Sequence, residues 1–176
     1  METLKTINNR KSVRKYTGAL TEGALKTVLL AGEASPIGMG KYGDMHMTVI
    51  RKKEILDGIE RAANEFFKTV NGKPLYGAPC LILISTKLTG TPMDRVPYSN
   101  AAIVAENMHL AATDIGLGSC LIWGAIMGLN NDKELIKKLN LPDGHTPCCG
   151  VIVGETEEKF ANRTIPEDRI SISYIK

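Results

Sequence analysis

A seven-residue segment near the start of the chain, residues 10–16, carries four cations and a serine hydroxyl. Arginine presents a planar fork of donors to a phosphate, lysine supplies a mobile point charge, and serine adds a short hydroxyl. Two or three such groups that converge could hold the phosphate of a nucleotide monophosphate. Cations in the last turn of a helix also complement the helix dipole. The segment therefore indicates either a phosphate site or an exposed basic helix end.

The spacing Arg-x-Ser-x-Arg-x-aromatic, read from Arg10, is similar to the opening motif of the nitroreductase-like FMN oxidoreductases. Three further segments follow in the family's order. They are Ala34-Ser35-Pro36, Gly77-Ala78-Pro79, and residues 101–118, which resemble the family's long central helix with its Gly-Leu-Gly end. The resemblance covers nearly the whole chain. It implies tightly held FMN, NADH or NADPH as hydride donor, and a homodimer with two active sites at the interface.

By this resemblance, the opening motif would take the phosphate, the ribityl chain and the pyrimidine edge of the flavin through Arg10, Lys11, Ser12 and Arg14. Arg163 matches the family's late basic position and would complete the phosphate site. The alternative for Arg163 is an ordinary loop arginine.

Two further segments would meet the flavin ring. Asn71 lies where the family has an amide that reaches the pyrimidine edge, although an Asn-Gly pair is also a common turn. Residues 119–124 match the segment that passes the reactive N5, so that Ile122, Trp123 and Gly124 would line the ring, with backbone N–H groups from the last two. A tryptophan at a strand end could instead belong to the core.

The loop of Ser35, Pro36, Ile37 and Gly38 would reach across the dimer to the flavin of the other subunit. Beyond Gly38 the sequence departs from the family pattern, because residues 39–44 replace the small polar residues, asparagine, Gln-Pro pair and aromatic of many relatives. We therefore expect a different pocket over the flavin. The glycines make this loop flexible, which fits either a lid or a surface loop.

Length and composition limit the classes of protein to which this chain could belong. The 176 residues, 43% of them hydrophobic, fit one domain of residues 1–176 with a sizeable core. A net charge of +3 with only 5% aromatics argues against a nucleic-acid binder, because cations outside the opening motif are scattered and stacking platforms are scarce. A polar N-terminus and the absence of any long apolar run predict a soluble, cytoplasmic protein with no membrane partner.

Other catalytic patterns are weak. The four cysteines begin or precede apolar runs and lack a Cys-x-x-Cys pair, which favours buried structural thiols over disulfides or a metal site. The three histidines are far apart in the sequence and no serine lies in a nucleophile elbow, so a hydrolase triad is unsupported. Glu106 and Asp114 face away from the apolar stripe of the central helix and are expected to be solvated or paired.

Periodicity predicts an α+β fold. The family resemblance implies that its centre is a mixed, mainly antiparallel sheet flanked by helices. Thr21 is the expected N-cap of a helix that ends at Gly32. The first helix should turn Leu4 and Ile7 inward, and a later apolar stripe should run to Phe66, Phe67 and Val70. The expected helices are 2–9, 22–32, 55–70, 100–115 and 132–139, and the expected strands are 45–51, 80–85, 119–123, 149–153 and 170–175.

The last segment alternates Ile and Ser and must be half buried if it is a strand. In the resembled family this segment joins the partner's sheet, so we expect a C-terminal strand exchanged within a homodimer.

The expected function is FMN-dependent, NAD(P)H-driven two-electron reduction of small electron-poor acceptors such as nitroaromatics, quinones or activated alkenes. Two alternatives remain open at this point. One is a non-catalytic flavin- or nucleotide-binding protein, and the other is a flavin-consuming or reductive dehalogenating enzyme on the same fold.

Overall fold

The computed structural model describes residues 2–176. Its strands are β1 (Met45–Ile50), β2 (Cys80–Lys87), β3 (Gly118–Ile122) and β4 (His145–Gly154). Its α-helices are α1 (Thr3–Asn9), α2 (Glu22–Glu33), α3 (Lys53–Phe67), α4 (Arg95–Asp114), α5 (Gly124–Leu129) and α6 (Lys133–Lys137). Short 3₁₀ turns occupy Gly38–Gly40, Tyr42–Asp44 and Pro92–Asp94. The α+β prediction is confirmed.

The four strands form one sheet in the order β1-β2-β4-β3, and every pair among the described strands is antiparallel. The central strand β2 reads as a continuous apolar run because both of its faces are covered. Ile82 and Ile84 belong to a core cluster with residues of α2 and α4. Leu81 and Leu83 belong to a second cluster with residues of α3 and α5. The sheet thus separates two helical layers.

The central helix α4 packs on the sheet through small side chains, as its alanine content predicts. Ala101, Ala105 and Ala112 are fully buried, together with Met108. The helix begins five residues earlier than expected, after a 3₁₀ turn that Thr91 caps. Gly116 has a φ of +79° and follows the helix end, as predicted.

Two predicted apolar faces are not buried. Leu4 and Ile7 of α1 are 76% and 41% exposed, so the prediction that they point inward is wrong. The side of α1 that meets α4 is polar, and Thr6 Oγ1 donates to Asp114 Oδ1 at 3.0 Å. The buried stripe of α3 ends at Ala63, because the helix stops at Phe67 and Lys68 takes a left-handed conformation. Phe66, Phe67 and Val70 are therefore exposed.

The C-terminal strand predicted over residues 170–175 is absent from the described chain, which forms no strand after β4. Ile170, Ile172, Tyr174 and Ile175 are each at least 68% exposed. A strand needs a neighbour to supply its hydrogen bonds, and this segment pairs with no strand of its own sheet.

The four cysteines are buried and free, which confirms the prediction of structural thiols. Within residues 2–176 no group of three or more His, Cys, Asp or Glu side chains could hold a metal ion. None of the described helices is both long and apolar enough to span a bilayer.

Candidate functional site

The opening motif is an extended segment along the free side of β3. Helix α1 ends at Asn9, so the alternative of a basic helix end is wrong. Val13 is fully buried, and its backbone N–H donates to Ser119 O at 2.9 Å. Ser12 and Arg14 flank Val13 and are exposed. The extended backbone thus uses Val13 as an anchor and leaves its polar neighbours on the surface.

Arg10 and Arg163 lie close together although 153 residues separate them in sequence. Arg163 caps the end of α1, because its Nε donates to Asn8 O at 2.8 Å and its Nη2 donates to Ile7 O at 3.2 Å. Burial lowers the pKa of Arg163, and the nearby charge of Arg10 lowers it further. Two guanidinium groups that repel each other form a site where an anion would be stabilised.

Arg10 has unused hydrogen-bonding capacity. Its Nε is buried and has no hydrogen-bond partner among the described residues. The nearest opposite charge is Glu106 Oε1 at 3.4 Å, which pairs with Arg10 electrostatically. Because Nε is buried against Glu106 while the Arg10 side chain as a whole is 33% exposed, a ligand anion would meet the exposed part of the side chain.

A buried polar layer on α4 lies beneath the two arginines. Burial raises the pKa of Glu106, against the opposite effect of the Arg10 and Arg163 charges. His109 is 1% exposed, and its Nδ1 lies 2.7 Å from Ser119 Oγ. Burial is the main reason that the pKa of His109 is lowered to about 4, and the charges of Arg10 and Arg163 contribute to the same shift. This imidazole is therefore neutral near pH 7. The sequence interpretation missed His109. The signal available was its position three residues after Glu106, on the same helix face.

The other cations of the motif have separate partners. Lys11 Nζ pairs with Glu158 at 2.8 Å and lies 5.8 Å from the ring centroid of Phe160. Arg14 Cζ lies 5.4 Å from the ring centroid of Tyr76. A hydrogen bond with the Tyr76 side chain is the main cause of a raised Arg14 pKa. Lys11 is therefore directed toward the C-terminal segment, whereas Arg14 meets the turn before β2.

Asn71 is exposed and takes a left-handed conformation with a φ of +56°. The turn that carries it is held by Asn64, which donates to Gly72 O and accepts from Gly72 N, both at 3.0 Å. The turn interpretation of the Asn-Gly pair is therefore correct, and the Asn71 side chain remains accessible to a ligand. Sequence reasoning did not identify Asn64.

The segment after β3 can contact a ligand mainly through its main chain. Ile122 is 5% exposed and belongs to the core, so only its main chain is available. Trp123 is 44% exposed at the N-cap of α5, and Gly124 is the first helical residue. The first N–H groups of a helix have no acceptor within it. A side chain at Gly124 would lie 3.4 Å from Phe67 Cε2, so this surface adjoins the exposed end of α3.

The loop of residues 35–38 is fixed on α4. Ser35 is fully buried and its Oγ accepts from Asn107 Nδ2 at 2.9 Å, while Gly38 N donates to Asn100 Oδ1 at 3.1 Å. Ile37 is 8% exposed in the core, and Pro36 is exposed. Asn100 and Asn107 are seven residues apart and share one helix face, which differs from the face that carries Glu106. This loop and Arg10 therefore lie on different sides of α4.

The residues brought together fit an elongated phosphorylated ligand. One end has two guanidinium groups close together, and the exposed Ser12 and Arg14 follow along an extended backbone. Four extended residues span up to about 14 Å. A terminal phosphate can therefore meet Arg10 and Arg163 while the far part of the same molecule meets Arg14. FMN has this shape and one terminal phosphate.

A family model described as the nitroreductase family matches residues 7–155. The chain belongs to the nitroreductase family. This nitroreductase-family chain is 30% identical over 166 residues to the FMN reductase (NADPH) of Bacillus subtilis (strain 168), a match that covers 86% of the chain. The chain spans 65% of that relative's length.

Solved structures agree with this membership. A nitroreductase with bound FMN from Bacteroides fragilis NCTC 9343 is 27% identical, with a TM-score of 0.81 and coverage of 99% of this chain and 100% of that chain. A nitroreductase with bound FMN from Desulfitobacterium hafniense DCB-2 has a TM-score of 0.83 at 21% identity, with 99% of both chains covered. The similarity to the Desulfitobacterium hafniense structure shows a shared fold.

Proposed function

We propose that this nitroreductase-family chain is an FMN-dependent oxidoreductase that takes hydride from NADH or NADPH and reduces small electron-poor acceptors. The observation that carries the proposal is the closeness of Arg10 and Arg163 at one end of a segment that exposes Ser12 and Arg14. The bound FMN of the Bacteroides fragilis relative and the NADPH in the name of the Bacillus subtilis relative support it.

In this proposal, each part of the site has a separate task. Arg10 and Arg163 hold the phosphate, Ser12 meets the ribityl chain, and Arg14 meets the pyrimidine edge. The bound flavin supplies the hydride chemistry, so no side chain needs to act as a nucleophile. Neutral His109 supports the site without adding a third positive charge beside Arg10 and Arg163. Its contact with Ser119 stabilises the strand that holds Val13.

The ring end of the site is formed by the main chain and the neighbouring turn. The N–H groups of Trp123 and Gly124 lie at the start of α5, where no helical carbonyl accepts them. Asn71 extends from its clamped turn toward the same pyrimidine edge as Arg14. Lys11 contributes mainly by pairing with Glu158, which fixes the segment that leads to Arg163.

We further propose that residues 1–176 act as one domain and dimerise by exchanging their C-terminal segments. Strand β1 is an edge of the sheet, paired only with β2 among the described strands. Thr48 Oγ1 on β1 is buried without a hydrogen-bond partner in the described chain. An open edge of this kind favours the addition of another strand. The alternating, exposed residues 170–175 of the partner would pair with this edge of β1.

Dimerisation would also give the loop of residues 35–38 its proposed role. The loop lies on a different side of α4 from Arg10, so it is suited to approach the flavin of the partner subunit rather than its own. The exposed Leu4 and Ile7 of α1 would then gain a neighbour. The cytoplasmic location inferred from the sequence stays a prediction.

The visible spectrum of the purified protein tests the proposed function. We expect a yellow protein whose released chromophore has the mass of FMN and whose absorbance bleaches on anaerobic addition of NADH or NADPH. Absence of flavin after reconstitution with FMN would refute the cofactor assignment. A bound flavin that no nicotinamide reduces would favour a non-catalytic flavin-binding protein. Product analysis with a nitroaromatic and a halogenated aromatic separates reduction from dehalogenation.

A further inference from the structure

Tyr76 combines an exposed aromatic ring with a left-handed backbone. Its φ is +54°, and its side chain is 39% exposed. Bulky residues rarely adopt this conformation, because Cβ then crowds the carbonyl oxygen. Strained residues of this kind persist where the surrounding structure fixes them, and they cluster at functional sites.

The turn that carries Tyr76 is fixed by a buried carboxylate. Glu60 is 6% exposed and accepts hydrogen bonds from Lys73 Nζ at 3.0 Å and from Leu75 N at 3.3 Å. Leu75 is 2% exposed, and Tyr76 N donates to Lys73 O at 2.8 Å. After Tyr76, Ala78 N donates to Leu75 O at 2.9 Å, so the backbone is held on both sides of the strained residue.

The Tyr76 ring lies beside Arg14, with 5.4 Å between the guanidinium carbon and the ring centroid. Within residues 2–176 Arg14 forms no ion pair with a carboxylate, unlike Arg10 and Lys11. A guanidinium over an aromatic ring keeps its charge, and a hydrogen bond to the Tyr76 side chain leaves its other donors for another partner. A carboxylate would also have oriented Arg14, but it would have neutralised the charge that an electron-rich ligand edge requires.

We propose that Tyr76 is a positioning residue that holds the Arg14 guanidinium toward the pyrimidine edge of FMN. This inference rests on the proposed function, since it assumes that Arg14 contacts the cofactor. Glu60 on α3 fixes the turn that carries Tyr76, and the Tyr76 ring in turn restricts the Arg14 side chain. The gain is a lower entropic cost when FMN binds, because Arg14 is already oriented.

A double-mutant cycle on FMN affinity tests this coupling. The variants are Tyr76→Asn, which tolerates the positive φ, Tyr76→Phe, which retains the ring, Arg14→Ala, and Arg14→Ala with Tyr76→Asn. We expect Tyr76→Asn to weaken FMN binding about threefold to tenfold and Tyr76→Phe to weaken it less. In the Arg14→Ala background, Tyr76→Asn should add almost no further loss. Tyr98→Phe, at an equally exposed tyrosine on α4, is the control and should leave the affinity unchanged.

The visible spectrum of the bound flavin gives a second measurement, because loss of a cation at the pyrimidine edge shifts the absorbance bands. Tyr76→Asn and Arg14→Ala should shift them in the same direction. An equal affinity loss from Tyr76→Asn in both backgrounds, or no loss in either, would overturn the inference. Wild-type protein that binds no FMN would instead refute the proposed function, and this inference with it.

Discussion

The backbone N–H of Val13 donates a 2.9 Å hydrogen bond to the carbonyl oxygen of Ser119. This contact joins the opening motif to β3 and aligns Ser12 and Arg14 along the outer side of the sheet. It also explains the glycine before Ser119, because a Cβ at Gly118 would lie 2.8 Å from Val13 Cγ1. The proposed cofactor surface is therefore formed by the close approach of two backbone segments more than 100 residues apart.

Arg10→Ala and Arg163→Ala should each weaken FMN binding. Each change removes a charge-assisted hydrogen bond worth about 1.5–3 kcal/mol, which corresponds to about a tenfold to hundredfold loss of affinity. Fluorescence titration of the apoprotein with FMN measures the effect. Arg61→Ala, at an exposed arginine of α3, is the matched control and should bind FMN normally. Normal binding by both site variants would show that the arginine pair serves only to hold α1.

His109 should make the free energy of unfolding pH-dependent in mildly acidic solution. Its pKa is about 4 in the folded chain, against 6.5 for the unperturbed side chain, chiefly because it is buried. The unfolded state therefore binds a proton first as the pH falls, and stability declines between about pH 6.5 and pH 4. The full loss is about 3 kcal/mol.

Urea unfolding of the wild type and of His109→Gln at pH 7 and pH 4.5 measures this dependence. The variant lacks the titrating imidazole, so its stability should decrease less between the two pH values, whatever its stability at pH 7. Equal decreases in both proteins would assign the acid sensitivity to other groups.

Gly128→Ala should destabilise the fold and disturb the segment at Trp123 and Gly124. A Cβ at Gly128 would lie 2.5 Å from Ala63 Cα and 2.6 Å from Ala63 N, so α5 would have to move away from α3. Overpacking of this kind costs about 1–3 kcal/mol. Thermal unfolding measures the loss. Gly23→Ala is the control, since it has open space on α2 and should stabilise the protein by about 0.5–1 kcal/mol.

Deletion of residues 170–176 should abolish the dimer and reduce the amount of bound flavin together. Ile170, Ile172 and Tyr174 are apolar and at least 68% exposed, and β1 is an edge strand of the described sheet. Size-exclusion chromatography with light scattering and the flavin-to-protein absorbance ratio measure both properties. Ile172→Asp should reproduce the loss, whereas Ser171→Asp on the alternate face should have a smaller effect. A truncated protein that remains dimeric and fully yellow would refute strand exchange.

Much of the local structure could be predicted from the sequence, because it depends on near neighbours. The side chain of Thr21 accepts from Ala24 N at the start of α2, as its position before the helix indicated. The continuous apolar run of β2 indicated a strand covered on both faces, and Gly116 indicated the end of α4. The motif residues of the proposed cofactor site were also recognisable, since their types and spacing resemble those of a known family.

The errors concern both elements and surfaces. The strand predicted over residues 170–175 is absent from the described chain, and the sequence prediction missed α5 (Gly124–Leu129). Leu4, Ile7 and Phe66 have apolar side chains at helical spacing, yet all three are exposed. Periodicity identifies the apolar side of a helix but not the element that covers it. Within residues 2–176, Leu4, Ile7 and Phe66 are left 76%, 41% and 42% exposed, and residues 170–175 pair with no strand of the described sheet.

The sequence by itself determined the family resemblance, the four strands of the sheet, five of the six described α-helices, and the cations available for a phosphate. Only the tertiary structure decided that residues 10–16 are extended, that Arg163 meets Arg10, that His109 is neutral beneath them, and that Tyr76 meets Arg14. The physical reason is the range of the interactions. Caps and periodicity act over a few residues, whereas burial and charge at this site arise from segments that meet only when the sheet and α4 have assembled.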